Sequence, residues 1–312
     1  MKIFHSIDDY KGKAPIVTMG TFDGVHPGHK ALLKEIVTIA KEENSESMAL
    51  TFWPHPRLVL EKDADKLRLL TTLKEKTKLI EEIGVENLMI LPFSKELAEM
   101  SSKEFTEKIL VDKLKISHLV TGFNHQFGND GITTKELKIL SDKHCFKFNR
   151  FHHVDVGGDH PSSTQIRKLL LEGKIEKANH LLGYPYKVTG TVTEGKQLGR
   201  TISYPTANIK IDENYKLIPL DGVYACRAIL NDKTYNAMVN IGVRPTVSEQ
   251  LDHRTVEVHI LDFNKDIYKE QLSVMFIERV RDEMKFDGID ALKNQLTQDE
   301  KIIREILNKT KI

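Results

Sequence analysis

The pattern of apolar residues changes near residue 184, and this change points to two differently built domains. In residues 15–150, short apolar runs such as PIVTMG, MALTFW and NLMILPF alternate with longer amphipathic stretches. Alternating strands and helices are typical of a parallel, doubly wound, Rossmann-like α/β sheet. Two helical stretches, residues 162–171 and 175–182, close this part. With 312 residues, the chain has room for two domains of ordinary size.

The second half contains strand-like runs with no helical pattern between them. KVTGTVT, GVYACRAIL, YNAMVNIG, TVEVHIL and LSVMFI follow one another between residues 187 and 277. Short strands at this spacing predict a compact antiparallel barrel. Apolar residues then recur at helical spacing, which predicts a terminal helix that caps the barrel. They are Ile289, Leu292, Leu296, Ile303 and Ile306. We therefore predict an α/β domain in residues 1–184 and a β domain in residues 185–312.

Composition argues against several classes of protein. A net charge of +1 provides no global field that would attract nucleic acid or an anionic membrane. The two cysteines, Cys145 and Cys226, lack metal-ligand spacing and argue against a disulfide framework. We find no apolar run of membrane-spanning length and no secretory h-region. We expect a cytoplasmic protein with small-molecule partners, no nucleic acid and no membrane contact, and at most weak homo-oligomerisation.

The sequence GTFDGVHPGH at residues 20–29 joins the first predicted strand of the alternating part to a helix. Gly20, Gly24 and Gly28 allow the backbone to approach a phosphate closely. His26 and His29 stand at the helix start, three residues apart, so both can face one point beside the positive end of the helix dipole. This arrangement suits nucleotidyl transfer, in which charge spreads over the phosphoryl oxygens. The alternative is a glycine-rich turn with two incidental histidines.

A second anion-binding segment is SSTQIR at residues 162–167. Ser162, Ser163 and Thr164 place hydroxyl groups at a helix start, and Arg167 follows one turn later. Helix capping alone would explain the hydroxyl residues, but not their occurrence together with GTFDGVHPGH.

The barrel half carries a second candidate phosphate site. A glycine-rich loop from Gly195 to Gly199 precedes PTAN, in which Thr206 and Asn208 would point the same way in an extended chain. Their two oxygens could bind Mg²⁺. In TVEVHIL, alternation buries Val256, Val258 and Ile260 and leaves Glu257 on the opposite face, where it could act as a general base. The alternatives are an ordinary turn and a solvent-facing glutamate.

The first half resembles the nucleotidylyltransferase domain of the prokaryotic bifunctional riboflavin kinase/FMN adenylyltransferase family, also called FAD synthetases. The resemblance covers roughly residues 16–182 and rests on GTFDGVHPGH, the F-x-PHP block FWPHP, GFNHQFG and SSTQIR. It implies an ATP site formed by Gly20, Phe22, Asp23, Gly24, His26, His29, Ser162, Ser163, Thr164 and Arg167, with both histidines and Arg167 in catalysis. It implies an FMN site near Phe52, Pro54, His55, Pro56 and Asn124. His125 and Pro161 depart from the family pattern.

Residues 187–285 resemble the riboflavin kinase domain of the same family through LGR, PTAN, DGVYA, NIGVRPT, EVHILDF and RDEMKF. The resemblance implies a six-stranded barrel with ATP at Gly195, Gly199, Arg200, Thr206 and Asn208, and Mg²⁺ on the last two. It also implies that Glu257 is the base for the riboflavin 5′-hydroxyl. Arg281 would either contact flavin or pair with Asp282 or Glu283. Ser203 replaces the usual glycine.

The sequence thus predicts two ATP-dependent reactions, riboflavin to FMN and FMN to FAD, both with Mg²⁺. One alternative is an adenylyltransferase for another phosphorylated substrate, such as phosphopantetheine or nicotinamide mononucleotide, although the barrel domain argues against it. Another alternative is a flavin-binding module that lacks catalysis.

Overall fold

The computed structural model of the chain describes residues 1–60, 67–122, 127–151, 155–194, 204–243 and 254–310. These residues form two compact units, Met1–Ser163 and Thr164–Ile312. Asn124, Gly195, Gly199 and Arg200, which the sequence assigns to ligand binding, lie outside the described residues, as do His125 and Ser203.

The first unit is built on a six-stranded parallel sheet with helices on both faces. Its elements in chain order are β1 (Lys2–Phe4), β2 (Ile16–Met19), α1 (Pro27–Glu42), β3 (Ser47–Trp53), α2 (Pro56–Leu60), α3 (Leu73–Glu82), β4 (Asn87–Pro92), α4 (Lys95–Glu99), α5 (Ser102–Phe105), a π-helical stretch (Thr106–Lys113), β5 (His118–Thr121), α6 (Thr134–His144) and β6 (Lys147–Arg150). The predicted doubly wound α/β architecture is confirmed.

The order of the strands fixes where a ligand crevice can lie. The sheet runs β1-β4-β3-β2-β5-β6, so the chain leaves β2 towards β3 on one side while β5 lies on the other. Ligands of doubly wound sheets bind outside the carboxyl ends of the strands at such a reversal. The GTFDG sequence follows β2 and therefore stands at this position.

The two faces of the sheet bury separate apolar clusters because successive side chains of a strand point in opposite directions. Val17 and Met19 pack in one cluster with Phe105 and Leu119. Ile16 packs in the other with residues of α1, among them Leu33. Local signals set the helix starts: α3 begins with a complete capping box formed by Thr72 and Glu75.

The second unit contains a closed antiparallel barrel of six strands in the order β10-β11-β8-β7-β12-β9. Its elements are α7 (Ser163–Leu171), α8 (Ile175–Leu182), β7 (Lys187–Thr193), β8 (Ala207–Lys210), β9 (Gly222–Leu230), β10 (Lys233–Val243), β11 (Arg254–Ile260), β12 (Gln271–Arg281) and α9 (Ile289–Lys309). The predicted barrel and terminal helix are confirmed. Of the apolar residues predicted to face the barrel, Ile303 is fully buried, whereas Ile289 is 56% exposed.

Helices α7 and α8 group with the barrel, although the sequence placed them in the first domain. The side-chain amide of Asn179 in α8 donates to the Phe276 carbonyl oxygen in β12, and its oxygen accepts from the Tyr186 amide. Along the chain, the boundary between the compact units lies between Ser163 and Thr164. A boundary between residues 184 and 185 for the two catalytic domains stays a prediction.

Candidate active sites

The turn after β2 has an unusual backbone. Phe22, Gly24 and Val25 all have positive φ, at 48°, 82° and 39°. The ring of Phe22 is buried in the core beneath the turn, 1% exposed, so its side chain supports the turn from inside. A Cβ on Gly20 would lie 3.2 Å from that ring, which gives this glycine a packing role.

The carboxylate of Asp23 holds the turn to a distant segment of the same unit. Its Oδ1 accepts hydrogen bonds from the amides of Leu70 at 2.9 Å and Thr71 at 3.1 Å. In return, the Gly24 amide donates to the Thr71 hydroxyl at 3.2 Å. Asp23 is 3% exposed. These contacts assign it a structural role in the turn, and direct contact with ATP stays a prediction.

His26 and His29 lie together at the start of α1, as their spacing predicts. Their rings stack with centroids 3.7 Å apart. The rings of Phe22 and His29 form a second pair, in a T-shaped, edge-to-face arrangement. His26 is the N-cap residue of α1, and no side chain caps the helix. Burial lowers the pKa of His26 to about 4, so its imidazole is neutral at pH 7. It can then donate a hydrogen bond to an anion but adds no charge.

The SST segment contacts the turn through Ser163. The hydroxyl of Ser163 donates to the carbonyl oxygen of Asp23 at 2.8 Å. The expected pairing of SSTQIR with GTFDGVHPGH is therefore present at Ser163. Within the second unit, the Arg167 guanidinium donates to the Thr164 hydroxyl at 3.3 Å. Ser162 is exposed at the residue before α7.

The FWPHP block continues from the carboxyl end of β3. Phe52 packs edge-on against Phe93 and Phe105 with ring centroids 5.7 Å and 6.3 Å apart. The imidazole Nδ1 of His55 accepts from the Arg57 amide at 3.2 Å, and the residue is 7% exposed. Pro54 is exposed and Pro56 begins α2. Aromatic surface thus lies at the strand end where the sequence places flavin.

In the barrel, strand register brings two predicted residues, Asn208 and Glu257, next to Asn240, which the sequence analysis did not single out. Asn208 of β8 lies opposite Glu257 of β11, and Asn240 of β10 lies opposite Glu257 on its other side. Glu257 lines a cavity of about 260 Å³ next to α9, which we call the helix-side cavity. The expectation that this glutamate faces a pocket is confirmed. His259 lines the same cavity and is buried, with its ring against that of Tyr204 and its Nδ1 2.8 Å from the Pro205 carbonyl oxygen.

The helix-side cavity combines polar and apolar walls. Thr206, Asn240, Glu257 and Arg281 contribute polar groups. Its apolar lining comes from the barrel and α9, and includes Val223, Met238, Phe286, Leu292 and Leu296. This mixture suits an apolar ring system with a polar tail.

Thr206 also lines a second cavity. This loop-side cavity of about 460 Å³ lies between the strand ends around Val258 and the loop of residues 263–268. Thr206 is therefore common to both cavities, and a group transferred between two bound molecules could pass at this residue.

Arg281 forms neither of the surface ion pairs that the sequence offered. Its Nε donates to both carboxylate oxygens of Asp299 at 3.0 Å, and its Nη2 donates at 2.7 Å. Asp299 lies in α9, is fully buried, and also accepts from Gln295 at 2.9 Å. Asp282 contributes only its backbone oxygen to Nη1 of Arg281.

The buried charged residues that sequence reasoning missed include Asp299 and Lys76. Lys76 in α3 is 4% exposed, and its ammonium donates to the Thr21 carbonyl oxygen at 3.0 Å and to the Thr51 hydroxyl at 3.1 Å. Each residue occupies a position in the apolar stripe of its helix. That position is the signal that could have found them, since a charge in an apolar stripe needs a buried partner.

None of the helices in the described ranges combines the length and the low charge that a membrane span requires.

Both units of the chain are similar to known proteins. The family model for FAD synthetase matches residues 9–165, and the model for riboflavin kinase (flavokinase) matches residues 182–307. Bifunctional riboflavin kinase/FMN adenylyltransferases from Listeria monocytogenes and Bacillus subtilis are 36% and 35% identical, covering 97% and 95% of this chain and 95% and 93% of their own. A solved structure titled Macrolide-efflux Protein, from Streptococcus pneumoniae, is 32% identical with a TM-score of 0.88, covering 97% of this chain and 98% of that one.

Proposed function

Since the chain belongs to the bifunctional riboflavin kinase/FMN adenylyltransferase family, we propose that it makes FMN at the barrel site and FAD at the turn of residues 20–29. The observation that carries this proposal is the pair of cavities that share Thr206 beside Glu257. A kinase must hold two substrates side by side, and these cavities offer room for both.

In the kinase reaction, riboflavin occupies the helix-side cavity and ATP the loop-side cavity. The 5′-hydroxyl oxygen of riboflavin attacks the γ-phosphorus, the bond to the β-phosphate oxygen breaks, and ADP leaves. Glu257 takes the hydroxyl proton, a role that contributes about 10²–10⁴-fold to the rate. Leu292 and Leu296 in α9 pack against the flavin ring and exclude water.

Thr206 and Asn208 fit a magnesium site, because a hydroxyl and an amide carbonyl are hard oxygen ligands. Thr206 lines both cavities, and Asn208 in β8 lies opposite Glu257, which lines the helix-side cavity. Mg²⁺ bound there with ATP would neutralise charge on the phosphates.

In the adenylylation reaction, a phosphate oxygen of FMN attacks the α-phosphorus of ATP and pyrophosphate leaves. His26 and His29 donate hydrogen bonds to the α-phosphate, while Ser162, Thr164 and Arg167 bind the departing pyrophosphate. No covalent intermediate is needed, since these groups stabilise charge where it develops. The aromatic surface at Phe52 and the 54–56 segment hold the flavin.

We place the enzyme in the cytoplasm, with small molecules rather than nucleic acid or membrane as partners. The balanced charge supports this choice of partners. Weak homo-oligomerisation stays a prediction, and sedimentation at several concentrations tests it.

Two variants separate the reactions. Glu257→Gln is expected to abolish FMN formation from riboflavin while supplied FMN still becomes FAD. His29→Ala is expected to do the reverse, and His5→Ala, at an exposed histidine of the same unit, is the matched control. Products are resolved by chromatography after incubation with ATP, Mg²⁺ and either flavin. If both variants lost both activities while their melting curves stayed normal, two independent sites would be ruled out.

A further inference from the structure

The turn of residues 20–26 is held in a conformation that its own residues disfavour. Phe22 and Val25 are not glycines, yet both have φ in the left-handed region. Such a backbone persists only where surrounding contacts hold it. The contacts that do so determine whether the backbone is positioned to receive phosphate.

Lys76 supplies two of these contacts from a helix remote in sequence. Its ammonium donates to the carbonyl oxygen of Thr21 at 3.0 Å and to the hydroxyl of Thr51 at 3.1 Å. Thr21 lies inside the turn, and Thr51 lies in β3 beside it. One buried ammonium therefore ties the turn to the neighbouring strand.

The positive charge of Lys76 also offsets a negative charge at this site. Asp23 is buried in the turn, and a carboxylate close to a polyphosphate would repel it. Burial lowers the pKa of Lys76 to about 8, and the negative charge of Asp23 acts in the opposite direction. At neutral pH the ammonium is mostly protonated, and its charge offsets that of Asp23. His26 cannot take over this task, because it is neutral.

We propose that Lys76 is a positioning residue for adenylyl transfer: its ammonium fixes the turn through Thr21 and Thr51 and cancels the charge of Asp23. ATP can then approach the backbone of the turn. This inference rests on the proposed placement of ATP at residues 20–29.

The test is Lys76→Met, which removes the charge and both hydrogen bonds at similar volume. The KM for ATP in FAD formation from FMN is expected to rise about tenfold, since hydrogen bonds to charged groups are the stronger ones. Riboflavin phosphorylation, which takes place in the barrel unit, should keep its wild-type rate, and a melting curve reports on the folding of the first unit. Lys78→Met, at an exposed lysine of the same helix, is the matched control and should behave as wild type.

The double variant Asp23→Asn/Lys76→Met separates the role of the charge from packing. Removing both charges should bring the KM for ATP closer to wild type than Lys76→Met alone. A double variant no better than the single one would overturn the electrostatic part of the proposal. Should Lys76→Met fail to fold, Thr51→Val deletes one hydrogen-bond partner at nearly constant volume, and the KM for ATP should rise by about threefold.

His29→Ala distinguishes this inference from the function on which it rests. If His29→Ala still forms FAD, the placement of ATP is wrong. If His29→Ala loses FAD formation while Lys76→Met and Thr51→Val keep wild-type KM and kcat, ATP is placed correctly and Lys76 has no positioning role.

Discussion

Asp299→Asn is expected to destabilise the barrel unit and impair FMN formation while FAD formation from FMN continues. The carboxylate of Asp299 is fully buried and accepts three hydrogen bonds from Arg281 and one from Gln295. Asparagine preserves the volume but removes the negative charge. Its amide nitrogen also cannot accept from the guanidinium.

The expected loss in the free energy of unfolding follows from the burial of Asp299 and Arg281. Removing one member of a buried ion pair costs about 3–5 kcal/mol, because the remaining charge is uncompensated. The Arg281 side chain retains 16% exposure, so water solvates part of its charge. We therefore expect a loss of about 2–4 kcal/mol in the free energy of unfolding. For a unit of this length, that loss lowers Tm by roughly 6–12 °C.

The consequence for catalysis comes from the place of Arg281 in the wall of the helix-side cavity. Without the Asp299 carboxylate, Arg281 loses the ion pair that orients it, and α9 loses an interaction that holds it against the barrel. The KM for riboflavin should rise more than kcat falls, because Glu257 is untouched.

The assay combines near-UV circular dichroism during heating with separate measurements of both reactions. Asp290→Asn is the matched control, since Asp290 is an exposed residue in the first turn of the same helix. It should shift Tm only slightly through the helix dipole. An unchanged Tm together with an unchanged KM for riboflavin in Asp299→Asn would refute the reasoning.

Two further predictions concern metal and protons. EDTA is expected to stop FMN formation, and excess Mg²⁺ should restore it, because Thr206 and Asn208 offer hard oxygen ligands beside the phosphates; full activity in EDTA would exclude the metal. In NMR titration, the ring of His26 is expected to take up its proton near pH 4, since burial disfavours the imidazolium. The unfolded chain takes up that proton near pH 6.5, so this residue removes stability as pH falls from about 6.5 to about 4. A midpoint above pH 6, with the resonance identified through His26→Asn, would contradict the burial argument.

Much of the architecture follows from sequence periodicity, and the exceptions are short or unusual elements. The strand over Lys187–Thr193 and the helix over Ile175–Leu182 have the predicted bounds. The strand Lys2–Phe4 escapes prediction because three residues carry no readable alternation. Helical spacing predicts a helix near residues 101–115, and the structure has one there, but its larger part, Thr106–Lys113, is π-helical, which the spacing does not show.

The candidate sites divide in a similar way. GTFDGVHPGH, PTAN and TVEVHIL indicate the residues that we propose for the two reactions, because chemistry demands particular groups at fixed spacing. Lys76 and Asp299 act through partners distant along the chain, Thr21 in one case and Arg281 in the other. Local pattern shows that each is a charge in an apolar stripe, but only the fold shows the partner.

Helix α9 has a consequence for how the enzyme matures on the ribosome. Leu292 and Leu296 of α9 line the helix-side cavity, so the wall of that cavity is incomplete until their helix has left the exit tunnel. The turn at residues 20–29 and Lys76 emerge much earlier, and domains generally fold as they emerge. During translation, a nascent chain therefore assembles the turn that we propose for FAD formation before it closes the cavity that we propose for FMN formation.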